Sequence, residues 1–332
     1  MDERNGRSMT REEMVPAVEK LLESGVEKPA RYAGGEWNAI KKPEGSFRQR
    51  YGMCFPDSYE VGMSHLGSRI LYGLANSCPE TYGERCFAPW PDMEEKRRAA
   101  GLPLYGLETR TPLGDFDVLG FTLQYEMSYT NILNMLDLAG LPLRAADRGE
   151  GMPFVICGGP CAVNPEPLAP FVDAFLIGDG EESLPELLAI HLAWKDSGED
   201  RDGFLRQLAG LEGCYVPKYY TPVYDADSGD FARMEIAPGA PERIRRRIVK
   251  DFENAYFPTD IVVPYVASVH DRVMLEVFRG CTRGCRFCQA GFLYRPVRQR
   301  SVATLKAQAL ASMDATGYEE LSLTSLSTGD YQ

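Results

Sequence analysis

The chain has 332 residues, 44% hydrophobic and 25% charged, which is enough apolar material for ordinary cores and for two domains. Its formal net charge of −12 argues against a protein that holds nucleic acid by overall charge. No apolar run approaches the ~20 residues of a membrane helix, and the polar start Met-Asp-Glu-Arg-Asn lacks the apolar centre of a secretory signal, so the cytoplasm is the expected compartment.

Residues 1 to about 10 read as a loose polar start. From Arg11 to Ser24, apolar residues Met14, Val15, Val18, Leu21 and Leu22 recur at helical spacing, and Gly25 can end the helix. A strand-then-helix rhythm begins at Tyr51. Strands are predicted over 51–55, 82–87, 118–123, 154–157 and 171–177, with helices over 64–75, 91–100, 129–139 and from 184 onward. Ser128 and Ser183 are the expected caps of the last two helices. Five strands alternating with helices predict a parallel sheet covered on both faces, and five units at this length fit a flavodoxin-like, Rossmann-like domain over 51–195. Ligands of such sheets sit at the carboxyl ends of the strands, which here carry Pro56 to Met63, Gln124 to Ser128, Gly158 to Asn164 and Gly178 to Glu182. Gly158, Gly159, Gly178 and Gly180 are the candidate positions for close backbone approach to a ligand.

The polar stretch 194–203 reads as a linker, 204–211 as a short helix, and 215–224 with 231–236 as a hairpin, so that 196–271 forms a connecting region between domains. Arg243, Arg245, Arg246, Arg247 and Lys250 form a basic run, and Arg295, Arg298 and Arg300 form another; a solvated face or pairing with carboxylates is the ordinary reading of both. A nucleic-acid substrate would need one of these as a local groove. From 272 a further unit starts, with a strand over 273–278, a helix from Ser301 through Ala315 and a strand over 321–326.

Between that strand and helix lies Glu276-Val-Phe-Arg-Gly-Cys281-Thr-Arg-Gly-Cys285-Arg-Phe-Cys288-Gln-Ala-Gly291, three cysteines spaced C-x3-C-x2-C. Three thiolates from one short loop can hold three irons of a 4Fe-4S cube and leave the fourth iron open to a small molecule. A zinc site completed by His270 is the competing reading, although zinc loops usually pair two C-x2-C knuckles and one is present here. Nine cysteines is an odd count with no secretory signal, so disulfides are not expected. Cys157 and Cys161 read as packed thiols in a glycine-proline turn, and Cys54, Cys78, Cys86 and Cys214 as structural.

Cys281, Cys285 and Cys288, with Phe287 before the last of them, resemble the cluster loop of the radical S-adenosylmethionine superfamily. The longer run from Arg279 through Gly291, Tyr294 and Arg298 is similar to a subgroup that carries a cobalamin-binding-like domain ahead of the radical core. The resemblance implies a radical S-adenosylmethionine enzyme, in which the open iron chelates the amino and carboxylate groups of that cofactor and an electron cleaves the sulfonium to a 5'-deoxyadenosyl radical. It implies that Phe287 contacts the adenine region and that Ser327, Thr328 and Gly329 approach the methionine end. It also implies an electron donor such as a flavodoxin or ferredoxin, methyl transfer or RNA modification as the reaction, and cobalamin at residues 51–195. The histidine-ligand signature D-x-H-x-x-G is absent; Met63-Ser-His65-Leu-Gly67 lacks its aspartate and places the glycine one residue early. A radical core of this kind resembles six strand-helix units, whereas 44 residues follow Cys288, so a truncated core, the first unit of a partial barrel, is the expectation. A non-catalytic iron-sulfur or zinc module for electron transfer or partner binding is the alternative.

Overall fold

The computed structural model describes residues 9–332, so most of the polar start lies outside the described residues. Helix α1 (Arg11–Glu23) opens on a capping box: the Thr10 side chain accepts from the Glu13 N–H, and the Glu13 carboxylate accepts from the Thr10 N–H at 2.8 Å. Its Met14, Val18 and Leu21 are buried.

The centre is a six-stranded sheet made of β1 (Gln49–Phe55), β2 (Thr81–Phe87), β3 (Val118–Thr122), β4 (Phe154–Gly158), β5 (Ala174–Leu176) and β6 (Cys214–Tyr215). Their spatial order is β2-β1-β3-β4-β5-β6, the first five parallel and β6 antiparallel at the edge. The parallel part has the 2-1-3-4-5 order of the flavodoxin-like class. Between strands come α2 (Tyr59–Met63), α3 (Leu66–Ser77), α4 (Pro91–Ala100), α5 (Tyr129–Leu138), α6 (Gly180–Ser197) and α7 (Arg201–Ala209).

Alternation along each strand divides the core between the two faces. Leu119, Phe121, Val155 and Phe175 pack with Ile132 and Leu136 of α5. Val118, Phe154 and Ile156 pack with Leu184 and Leu188 of α6 and Phe204 and Leu208 of α7. Tying one face to α5 and the other to α6 and α7 fixes the strand register, since a one-residue slip would exchange the two sets.

Three local expectations are corrected. Ser183 does not cap α6: the helix begins at Gly180 with Asp179 at the cap position, and the Ser183 hydroxyl, inside the first turn, donates to the Asp179 carbonyl at 3.0 Å. The Ser128 side chain likewise makes no cap bond and donates backward to the Tyr125 carbonyl at 2.8 Å. The predicted linker at 194–203 is mostly helix, because its polar residues form the solvent side of α6 until Gly198, at φ +70°, ends it. Packing continues past residue 195, since α7 and Val216 belong to the same core as Phe154.

Beyond the sheet, β7 (Tyr220–Tyr224) and β8 (Phe231–Ile236) form an exposed antiparallel hairpin. The C-terminal unit comprises β9 (Val273–Glu276), β10 (Phe278–Arg279), α8 (Ala290–Leu293), β11 (Arg298–Gln299), α9 (Val302–Thr316) and β12 (Leu321–Thr324). Strands β9 and β12 pair in parallel with α9 between them, a strand-helix-strand unit around Val273, Leu275, Val277, Phe278 and Leu305. Trp37 Nε1 and Asn38 Nδ2 donate to the Ala315 carbonyl at 3.1 and 3.0 Å and tie α9 to the N-terminal part.

Candidate functional site

The cysteine loop is a closed hairpin. β10 and β11 pair antiparallel, Phe278 opposite Gln299 and Arg279 opposite Arg298, so residues 280–297 leave and return at one point near the carboxyl end of β9. Gly280 makes this closure possible: its φ is +96°, and a Cβ there would lie 2.6 Å from both the Tyr294 and the Pro296 carbonyl oxygens. Arg295 Nε donates to the Cys281 carbonyl at 3.2 Å, and its guanidinium lies over the Phe292 ring at 4.6 Å. The loop is thus braced by its own return arm.

All nine cysteines are free; Cys285 is exposed, and Cys281 and Cys288 are half-buried. The Arg283 N–H points at Cys281 Sγ (3.5 Å) and the Gly291 N–H at Cys288 Sγ (3.4 Å), backbone donors that would stabilise thiolate charge. Among the described residues no group of three or more His, Cys, Asp or Glu side chains is gathered as a metal set. The loop therefore fits an iron-sulfur cluster in donor type, spacing and sulfur-directed N–H groups, and binding would draw its thiolates together. His270 does not join the cysteines; its N–H donates to Ser64 Oγ at 3.1 Å.

Phe287 is 91% exposed and covers nothing in this structure. Ser327 donates to Asp330 Oδ2 at 2.7 Å, the Thr328 hydroxyl lies 2.8 Å from that of Ser325, and Gly329 sits in the tight turn between them. This turn meets the cysteine loop through a residue that spacing alone does not flag: Arg283 Nε donates to Asp330 Oδ2 at 2.7 Å, and a second bond joins NH2 to Oδ1. The bonds from Arg283 and then Ser327 hold the Asp330 carboxyl below its ordinary pKa. Cysteine loop and Ser327–Asp330 turn are therefore neighbours.

At the sheet's strand ends the glycines are met by the chain's own backbone. A Cβ at Gly159 (φ +112°) would lie 2.8 Å from the Leu123 carbonyl, and one at Gly178 (φ +121°) would run into the Arg247 carbonyl. Gly178 forms a parallel bridge to Arg247, whose N–H donates to the Ile177 carbonyl at 2.8 Å. Gly180 approaches Leu71, and Gly158 has ordinary room. The open space lies instead at the ends of β1 and β3, where strand order reverses. There a cavity of about 280 Å³ is lined by Phe55, Asp57, His65, Gln124, Tyr125 and His270, among others. His65 is committed to capping α3: its Nδ1 accepts from the Ser68 N–H at 3.0 Å, and burial, the main cause, lowers its pKa to about 4. At Gly159 and Gly178 the approach a cobalamin would use is therefore taken by the chain's own backbone, while the ends of β1 and β3 stay open.

The two halves meet through charge. Arg279, at the root of the cysteine loop, bonds Glu276 of β9 (Nε to Oε1, 2.9 Å), Glu181 of α6 (NH2 to Oε1, 2.6 Å) and Asp179 (NH1 to Oδ1, 3.0 Å). Each of these four side chains is at most 15% exposed.

Residues 67–217 match a family model described as radical SAM proteins, N-terminal. An uncharacterized protein of Methanocaldococcus jannaschii, MJ0966, is 26% identical over 281 residues, which are 84% of this chain and 50% of that protein. Among solved structures, OxsB, a cobalamin-dependent S-adenosylmethionine radical enzyme, aligns at a TM-score of 0.46 and 12% identity, covering 84% of this chain and 34% of its own. TsrM from Kitasatospora setae, a radical S-adenosylmethionine methyltransferase solved with cobalamin and a 4Fe-4S cluster, aligns at 0.48 and 14%, covering 86% and 50%. The chain spans about half the length of the curated relative it matches. No helix among the described residues is long and apolar enough to cross a membrane.

Proposed function

We propose that the chain forms part of a radical S-adenosylmethionine enzyme in which Cys281, Cys285 and Cys288 hold a 4Fe-4S cluster, a reading supported by the match of residues 67–217 to the model of the radical SAM N-terminal family. The observation that carries this reading is the hairpin of β10 and β11, which presents three free cysteines spaced C-x3-C-x2-C in one closed loop near the end of a parallel strand. When bound, such a cluster supplies one electron at an iron that no cysteine holds, and S-adenosylmethionine supplies the radical.

The residues of the chain serve that chemistry in separable ways. The three thiolates bind the irons, and the N–H groups of Arg283 and Gly291 stabilise the sulfur charge of Cys281 and Cys288. Phe287, free in the loop, is available to cover the adenine side of the cofactor. The hydroxyls of Ser327 and Thr328 and the open backbone at Gly329, held beside the loop by Arg283 and Asp330, would receive its methionine end. An external flavodoxin or ferredoxin would deliver the electron. Methyl transfer and RNA modification are the reaction classes to screen first, and no step is assigned to cobalamin.

The test is anaerobic reconstitution with iron and sulfide, followed by electron paramagnetic resonance of the reduced protein. The expected result is a 4Fe-4S signal that changes shape when S-adenosylmethionine is added and is lost in Cys285→Ala. A cluster indifferent to S-adenosylmethionine would leave an electron-transfer module. Zinc bound in place of iron would leave a structural one.

A further inference from the structure

The reading above makes the cysteine loop the reactive part and leaves the sheet domain without a task. The charge network at their contact supplies one. Arg279 and Arg298 face each other across the β10–β11 ladder, one where the chain enters the cysteine loop and the other where it returns. Two like charges directly opposite in an antiparallel pair repel and would open the hairpin at its root.

Asp179 bridges them. Its Oδ1 takes Arg279 NH1 at 3.0 Å, and its Oδ2 takes Arg298 NH1. Glu181 adds a second bond to Arg279, so the sheet domain supplies two of the three carboxylates around the loop root; the third, Glu276, comes from β9. The Phe252 ring lies under this pair, 5.0 Å from the Arg279 guanidinium and 6.0 Å from that of Arg298, and excludes water from one side.

Asp179 is itself fixed before it meets the loop. Its backbone N–H donates to the Arg247 carbonyl at 3.0 Å, and its Oδ2 accepts the Val249 N–H at 2.9 Å. The preceding Gly178 allows this only because it lacks a Cβ. Cys281 begins two residues beyond Arg279. The carboxylates of the sheet domain are thus placed where they set the spacing of the two arms from which all three cysteines hang.

We infer that Asp179 and Glu181 are positioning residues: through Arg279 and Arg298 they clamp the root of the cysteine loop and hold it in the geometry that accepts S-adenosylmethionine. The clamp itself needs no cluster, but its consequence for the cofactor rests on the function proposed above. Glu276 can hold Arg279 from within the C-terminal unit, whereas in this network Arg298 receives its carboxylate from the sheet domain alone.

The test separates the two levels. Amide hydrogen exchange on the metal-free, full chain compares wild type with Asp179→Asn. The clamp predicts that amides at 277–281 and 298–300 exchange about tenfold faster in the variant, while those of β1 and β3 keep their protection. Unchanged exchange at the loop root overturns it. If β1 and β3 also lose protection the variant is unfolding, and Arg298→Gln, which removes the loop-side partner and leaves the sheet domain untouched, gives the deciding comparison by the same two criteria.

After reconstitution, Asp179→Asn is expected to retain iron on its three cysteines but to need about tenfold more S-adenosylmethionine to change the paramagnetic resonance spectrum, with Asp179→Glu restoring part of the loss. A wild-type response in Asp179→Asn would refute the positioning role. A wild-type protein that never responds to S-adenosylmethionine would instead refute the proposed function, and the clamp would then stand or fall on hydrogen exchange alone.

Discussion

The N-terminal sheet and the C-terminal unit are both parallel strand-helix structures, yet they are finished to different degrees. Strands β2 and β3 are buried at every residue, and β1 and β4 at all but one each. By contrast β12 has no fully buried residue, and α9 buries only Leu305 and Ser312. The cysteine loop goes the opposite way: in the well-packed half the turns at Gly159 and Gly178 are met by the chain's own backbone, while the half with the thin core carries three free cysteines that are exposed or half-buried. A well-packed sheet holding a thinly packed loop by a few buried charges would suit the function proposed for that loop, since it fixes the root and leaves the cysteines accessible.

The largest effect should come from breaking the packed half. Phe154, packed among Ile156, Leu187 and Phe204, is expected to cost about 3–5 kcal/mol on replacement by alanine, read as a lower urea midpoint. Next comes Gly178→Ala, which forces a Cβ into the Arg247 carbonyl at positive φ. A loss of about 1–3 kcal/mol is expected, together with release of the segment at 247–249 seen as faster exchange of its amides. A loss under 0.5 kcal/mol would mean that Arg247 moves aside freely.

Acid sensitivity sharpens the comparison further, because its groups lie in the sheet domain. Burial lowers the pKa of His65 and of His191 to about 4. Burial, followed by the charge of Glu108, raises Glu84 to about 7. A base with a depressed pKa takes up its proton on unfolding, so each histidine makes stability fall as pH drops from about 6.5 toward 4. An acid with a raised pKa binds its proton in the folded state, so Glu84 makes stability fall as pH rises from about 4.5 to 7. Between pH 5 and 6.5 two histidines oppose one glutamate, and stability is expected to rise by roughly one proton's worth, about 1.4 kcal/mol per pH unit at most. Urea titrations across that range should flatten in His191→Asn and steepen in Glu84→Gln. The smallest effect belongs to the open half: Leu310, 66% exposed on α9, should tolerate alanine within about 0.5 kcal/mol.

Much of this was legible in the sequence for a simple reason. Parallel strands buried on both faces read as apolar runs, which made β3, β4 and the 51–55 part of β1 legible, while β2, despite Glu84 and Arg85, was marked by Tyr82, Cys86 and Phe87 within the strand-helix rhythm. The cysteine loop was legible because its chemistry is local. What escaped was long-range. The start of α6 depends on Gly178 pressing against Arg247, some seventy residues away, and polar composition made the tail of that helix look like a linker. Asp330 acquires its place beside the cysteines through Arg283, and Asp179 through Arg279 and Arg298, pairs that no periodicity marks. His65 was legible as a departure from a cobalamin-ligand pattern, and its task in this fold is to cap α3.

The central claim is that three cysteines leave one iron of a cube open to S-adenosylmethionine. Mössbauer spectroscopy of the full chain, reconstituted with isotopically enriched iron, tests it most directly. The account predicts one iron subsite whose parameters shift when S-adenosylmethionine is added while the others stay put, and no cube in Cys285→Ala. Four irons that remain equivalent in the presence of the cofactor, or a loop that takes no iron at all, would contradict it.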